Sequence, residues 1–156
     1  MVSTAIEIAK CLKEDKNILL LTGALCDNME IGEKRLVEYA GEIAELAGIP
    51  VAATGNTIAA LVERDIKTKK VFAGNVINYM RAEKWEDPIA PERPETLVFI
   101  GYYPSFLNMM LSTLKGKKTI CLDNVALEEV TLSPPDMNID DWGKFLNEII
   151  NELKKK

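Results

Sequence analysis

The chain contains no histidine. That absence removes the commonest general base and the commonest transition-metal ligand, and most hydrolase and metalloenzyme mechanisms with them. Cysteine is scarce as well, and Cys11, Cys26 and Cys121 lie far apart. They supply neither a disulfide framework nor the four thiolates of an iron–sulfur cluster, and they fit reduced thiols in a cytoplasmic protein. Cys26 and Cys121 both fall near expected strand ends, where they could approach each other or simply be buried and inert. No run of about eighteen apolar residues is present, so no membrane span is expected. Glu7 and Lys10 interrupt the amino-terminal stretch where an export signal needs an unbroken apolar core. Basic charge is in deficit, with 19 Lys and Arg against 24 Asp and Glu for a net charge of -5. Phosphate neutralisation needs a basic stripe, and the sequence offers only short clusters such as Lys115, Lys117 and Lys118 or Lys154, Lys155 and Lys156, which with the acidic balance argues against nucleic acid as a partner.

What the chain has is enough apolar material for one core. With 156 residues and 47% apolar composition, a single domain over 1-156 is expected. Its most informative stretch runs from Asn17 to Gly55. The apolar run Asn17 to Thr22 ends at Gly23, a long helical pattern follows, and a second run from Ile49 to Thr54 ends at Gly55. This is a βαβ unit, because unbroken apolar runs of such length fit strands buried on both faces of a parallel sheet. Two further runs share the pattern: Thr96 to Ile100 ending at Gly101, and Lys118 to Leu122 ending at Asp123.

The helices follow from periodicity and caps. Ser3 or Thr4 caps a first helix whose Ala5, Ile8, Ala9 and Leu12 share a face. Glu33 to Ala47 reads as a second, with Leu36, Val37, Ala40, Ile43, Ala44 and Ala47 inward and Gly48 as its stop. A short helix through Ile58, Leu61 and Val62 follows the second strand. Val71 to Tyr79 is compatible with strand, helix or loop. Trp85 to Pro94 holds Pro88, Pro91 and Pro94 and reads as a surface loop. Ser105 is expected to cap a helix reaching Leu114 and stopped by Gly116, with Phe106, Met109 and Met110 on its core face. A short strand is expected over Glu129 to Leu132. The last helix begins near Asp140 and carries Trp142, Phe145, Leu146, Ile149, Ile150 and Leu153 on one face.

Parallel sheets bind ligands beyond the carboxyl ends of their strands, which makes Gly23, Thr54, Gly55, Asn56, Gly101 and Asp123 the candidate cofactor-binding residues. Gly23 to Gly32 matches neither the dinucleotide fingerprint nor a P-loop, since it lacks both the second close glycine and a Lys-Ser/Thr pair. Gly23 therefore serves either a ligand or only the chain's exit from the sheet. Thr54-Gly55-Asn56-Thr57 offers hydroxyls and amides to a ribose or phosphate, or caps a helix. Aromatic and flexible apolar residues concentrate from Gly101 to Met110, and Tyr102, Tyr103 and Trp85 are candidate partner contacts, amphipathic aromatics being enriched at interfaces.

The order Lys16 to Gly23, Leu36-Val37-Glu38-Tyr39-Ala40 and Leu46-Ala47-Gly48-Ile49-Pro50-Val51-Ala52-Ala53-Thr54 resembles the central domain of thiamine-diphosphate enzymes. That domain is related to the nucleotide-binding fold of deoxyhypusine synthase. The resemblance implies a three-layer, doubly wound α/β domain with a mostly parallel sheet of five to six strands, the DHS-like NAD/FAD-binding fold. Over its whole length, including Thr54-Gly55-Asn56-Thr57, Phe99-Ile100-Gly101-Tyr102-Tyr103 and the closing helix with Trp142, the chain resembles the epsilon subunits of archaeal acetyl-CoA decarbonylase/synthase complexes. That resemblance implies a non-catalytic accessory subunit in an α2ε2 carbon monoxide dehydrogenase component, whose large alpha subunit carries the nickel–iron–sulfur clusters. It implies no catalytic residues, no metal and no tightly bound cofactor in this chain. FAD is the one cofactor it brings in, through electron transfer. The alternative is a stand-alone flavin- or nucleotide-binding redox protein.

Overall fold

A computed structural model of the chain describes residues 2–32, 34–53, 68–70, 94–112, 114 and 117–155. Thr54, Gly55, Asn56, the helix expected through Ile58, the stretch from Val71 to Tyr79 and Trp85 lie outside the described residues.

Among the described residues, five strands form one parallel sheet: β1 (Ile18–Thr22), β4 (Val51–Ala53), β5 (Thr68–Lys70), β6 (Thr96–Ile100) and β7 (Lys118–Cys121), in the order β5-β4-β1-β6-β7. In register, Leu20 lies between Val51 and Val98. Every residue of β1, β4 and β6 is buried. Successive side chains of a strand point to opposite faces, which divides the core in two. Ile18 and Leu20 meet α1 (Ala5–Glu14), α3 (Leu36–Ala47), which follows the single-turn α2 (Leu25–Asn28) in the chain, and α5 (Ile139–Lys154) on one face. Leu19 and Leu21 meet Leu107, Met110 and Leu111 of α4 (Pro104–Leu111) on the other. The result is the three-layer α/β architecture expected of runs that are apolar at every position. Cys26 and Cys121 fall in the opposite cores, so the sheet separates them.

The ends of these elements have local causes. Thr4 and Glu7 cap α1 reciprocally: the Thr4 hydroxyl accepts from the Glu7 amide at 3.1 Å and the Glu7 carboxylate from the Thr4 amide at 3.0 Å. Asn17, at φ 53°, turns the chain into β1 in a conformation that Asn tolerates. Gly48 closes α3 at φ 68°. α5 starts at Asn138, whose side chain accepts from the Asp141 amide at 2.8 Å, and Trp142 Nε1 donates to the Leu122 carbonyl at 2.8 Å, tying this helix to the end of β7.

Four expectations are corrected. α3 begins at Leu36, not Glu33. Gly32, at φ 65°, lets β2 (Glu30–Ile31) and β3 (Lys34–Arg35) pair as a small antiparallel hairpin, and the Arg35 amide then donates to the Glu38 carboxylate at 2.6 Å to open the helix. α4 begins at Pro104 and places Ser105 inside its first turn, because Pro's fixed φ suits the first helical position and it has no donor to satisfy there. Phe106 and Met109 do not join Met110 in the core; they are 41% and 62% exposed, while Leu107, Met110 and Leu111 are buried. The strand expected over Glu129 to Leu132 is reduced to bridges, Leu132 pairing with Ile120 and Ser133 with Val2, so the edge beyond β7 is built of single pairings.

Candidate functional site at the strand ends

The strand order reverses direction between β1 and β6, and that switch point is where an open parallel sheet usually offers a crevice. Gly23 and Gly101 stand on its two sides. Here the loops leaving the strands are joined instead of parted. The Gly23 amide donates to the Ile100 carbonyl at 2.8 Å and the Leu25 amide to the Gly101 carbonyl at 2.9 Å. The Cys26 amide turns back to the Gly23 carbonyl at 3.1 Å. A Cβ on Gly23 would lie 2.4 Å from the Gly101 oxygen, and one on Gly101 would lie 2.5 Å from Cys26 Sγ. The two glycines are there because two backbones and a thiol occupy the space that side chains would need. Gly101, at φ 86°, also requires a backbone that only glycine adopts cheaply.

Asp123 completes the closure. Its Oδ1 accepts from the Gly101 amide at 2.7 Å and its Oδ2 from the Tyr102 amide at 3.2 Å. Successive amides at a strand end form an anion-binding concavity, and in this molecule the anion is the protein's own carboxylate. Burial pushes the Asp123 pKa up to about 7, against the pull of the two amide bonds that favour its ionised form. Its own amide donates to Cys121 Sγ at 3.4 Å. Burial, with the Asp123 charge second, raises the Cys121 thiol well above the usual range and keeps it a thiol. This arrangement staples the β6–α4 turn to the end of β7.

The remaining candidates are divided between interior and surface. Tyr102 is buried, edge-on to Phe99 at 5.8 Å and stacked with Phe106 at 6.2 Å. Tyr103, the next residue, is 60% exposed. Asn108, Ala126, Leu127, Glu128 and Glu129 line an open groove of about 500 Å³ beside α4. At the other end of the sheet Lys118 Nζ lies 2.7 Å from Asp15 Oδ2 and 3.5 Å from Cys11 Sγ, and the hydrogen bond to Asp15 holds the Lys118 pKa above its usual value. Among the described residues, no group of three or more His, Cys, Asp and Glu is placed to hold a metal ion. The surface residues that sequence reasoning missed are Phe106 and Met109. Their signal was present, in a segment from Thr96 to Leu114 that holds no charged residue.

No protein-family model matches the chain. Among characterised proteins, it is 33% identical over 153 residues to acetyl-CoA decarbonylase/synthase complex subunit epsilon 1 of Archaeoglobus fulgidus, covering 94% of this chain and 80% of that one. The chain belongs to this epsilon-subunit family. The Methanosarcina barkeri epsilon 1 subunit is 29% identical over 148 residues, covering 93% of this chain and 84% of its own. The Methanosarcina mazei epsilon 2 subunit is 26% identical with the same coverages. Each of these three relatives is a subunit of an acetyl-CoA decarbonylase/synthase complex. In this member no described helix is long and apolar enough to cross a membrane.

Proposed function

We propose that the chain is a non-catalytic accessory subunit of the carbon monoxide dehydrogenase component of an acetyl-CoA decarbonylase/synthase complex. Its partner in this reading is the large alpha subunit that carries the nickel–iron–sulfur clusters. The observation that carries the proposal is family membership over nearly the whole chain. The strand ends support it: the amides of Gly23, Leu25, Cys26, Gly101 and Tyr102, which a nucleotide phosphate would need, are committed to groups of the same chain. The role assigned is to stabilise the alpha subunit and to assist its electron transfer to FAD, with the flavin not held tightly by this chain.

The test is native mass spectrometry with metal analysis and a visible spectrum, on the tagged protein isolated anaerobically from its own cells. Co-elution with a large subunit containing nickel and iron is the expected result. A lone protein carrying stoichiometric flavin or nucleotide, or saturable binding of FAD, FMN, NAD or AMP to the isolated chain, replaces this reading with that of a redox protein.

A further inference from the structure

α4 and α5 both cover the sheet, but their outer faces differ. The exposed positions of α5 include Asp140, Asp141, Lys144, Glu148 and Lys154. Around α4 they include Tyr103, Ser105, Phe106, Asn108, Met109 and Ser112, and none of the exposed positions there carries a charge. Tyr103, Phe106 and Met109 are 60%, 41% and 62% exposed. Aromatic residues and Met with charge excluded are the composition of an interface centre. The edge of this face is acidic: Glu128 and Glu129 line the groove beside Asn108, and neither forms an ion pair among the described residues.

The sign of that edge selects the occupant. An anionic lipid surface or a nucleic acid meets negative charge here, in a chain whose net charge is already -5. In a second copy docking through the same patch, the described segments that build it, within Thr96 to Leu114 and Thr119 to Gly143, offer the two glutamates no Lys or Arg. A partner charge at the centre of the face would lose its hydration with no counter-ion in return. We propose that the outer face of α4 docks a protein partner whose surface is apolar and uncharged at its centre and carries Lys or Arg along the edge that meets Glu128 and Glu129. The inference rests on the accessory-subunit reading, in which that partner is the alpha subunit.

The experiment co-expresses the tagged chain with the alpha subunit of the same complex and measures the affinity of the pair at several salt concentrations. Tyr103→Glu and Met109→Glu place charges that stay solvated in the free chain, so its thermal unfolding should be unchanged while affinity falls at least tenfold. Glu128→Lys with Glu129→Lys should weaken the pair and flatten its salt dependence. Ile6→Glu, 54% exposed on α1 across the sheet, should bind as the unaltered chain does. If the unaltered chain does not bind the alpha subunit, the accessory reading falls and this inference with it. If it binds and both α4 variants bind within about twofold of it, the face is wrong and the accessory reading stands. Light scattering that shows the α4 variants losing only self-association assigns the face to a second copy and overturns the inference as well.

Discussion

Two regions one residue apart answer differently to the question of where this molecule meets others. At Gly101 and Tyr102 the backbone is buried, and its amides are held by Asp123. At Tyr103 the chain emerges and α4 presents a face with no charge. The first region is where a parallel sheet ordinarily keeps its ligand; the second is what a ligand site in this fold would normally only support. In this chain the ends of β1, β6 and β7 are joined to one another, and the adjacent helix keeps its outer face open. The Asp123 staple links them, because it fixes the turn from which α4 starts.

The largest effect expected on this contrast comes from titrating the staple. The folded-state pKa of Asp123, about 7, lies above its ordinary value of 3.8. The folded protein therefore holds that proton more tightly than the unfolded chain. Stability from this group is fully present below about pH 4, is lost as pH rises towards 7 and is constant above about pH 8. One pKa unit corresponds to about 1.4 kcal/mol, so the loss is on the order of 4 kcal/mol at most. Urea unfolding of the wild type and Asp123→Asn from pH 4 to 8.5 isolates the contribution, because the amide does not titrate. Parallel stability curves for the two proteins would show that the carboxylate carries no such linkage.

The adjacent tyrosines should differ nearly as much. Tyr102→Ala removes a buried ring packed on Phe99 and Phe106 and should cost about 3–4 kcal/mol. Tyr103→Ala, on the exposed side, should stay within about 0.5 kcal/mol. Equal losses in urea unfolding would erase the boundary drawn between the two regions. A finer version uses two glycines with positive φ. Gly48→Ala meets nothing within 4 Å and should cost about 1 kcal/mol for its backbone alone. Gly101→Ala drives a methyl into Cys26 Sγ as well and should cost about 2 kcal/mol more. Equal costs at the two positions would mean that the switch point has room to spare.

Much of the frame was legible because its signals are local. Apolar runs closed by Gly23 and Gly101 mark β1 and β6, and a cap at Ser3 or Thr4, which the structure places at Thr4, and Gly48 bound α1 and α3. The site was legible only as a set of positions. That Gly23 faces Gly101, and that Asp123 accepts from the Gly101 and Tyr102 amides, depend on contacts between distant segments that no local pattern carries. Glu33 to Arg35 extends a helical pattern, yet the Leu36 amide bonds to the Met29 carbonyl at 2.9 Å across the hairpin, so tertiary pairing overrides propensity there. α4 failed for a different reason. The outer face of a helix is normally recognised by its charges, and a helix without charges has two plausible apolar stripes. Met110 belongs to both, but Phe106 and Met109 fell on the wet side, with Leu107 and Leu111 on the dry one.

That ambiguity sets the smallest expected effect in the free protein and the one that best separates packing from recognition. Leu107→Ala empties a buried position of α4 and should cost about 3 kcal/mol of stability. Met109→Ala, two residues on, should change the stability of the free chain by less than about 0.5 kcal/mol. Against the alpha subunit the consequence should reverse: Met109→Ala should cost more than about 1 kcal/mol of binding if it is an anchor at the centre of the face. A helix face selected only for covering the sheet has no reason to lose binding without losing stability. Thermal unfolding and affinity measured on this pair of variants therefore distinguish an outer face kept for a partner from one that is merely apolar, and a Met109→Ala chain that binds normally would leave α4 as packing alone.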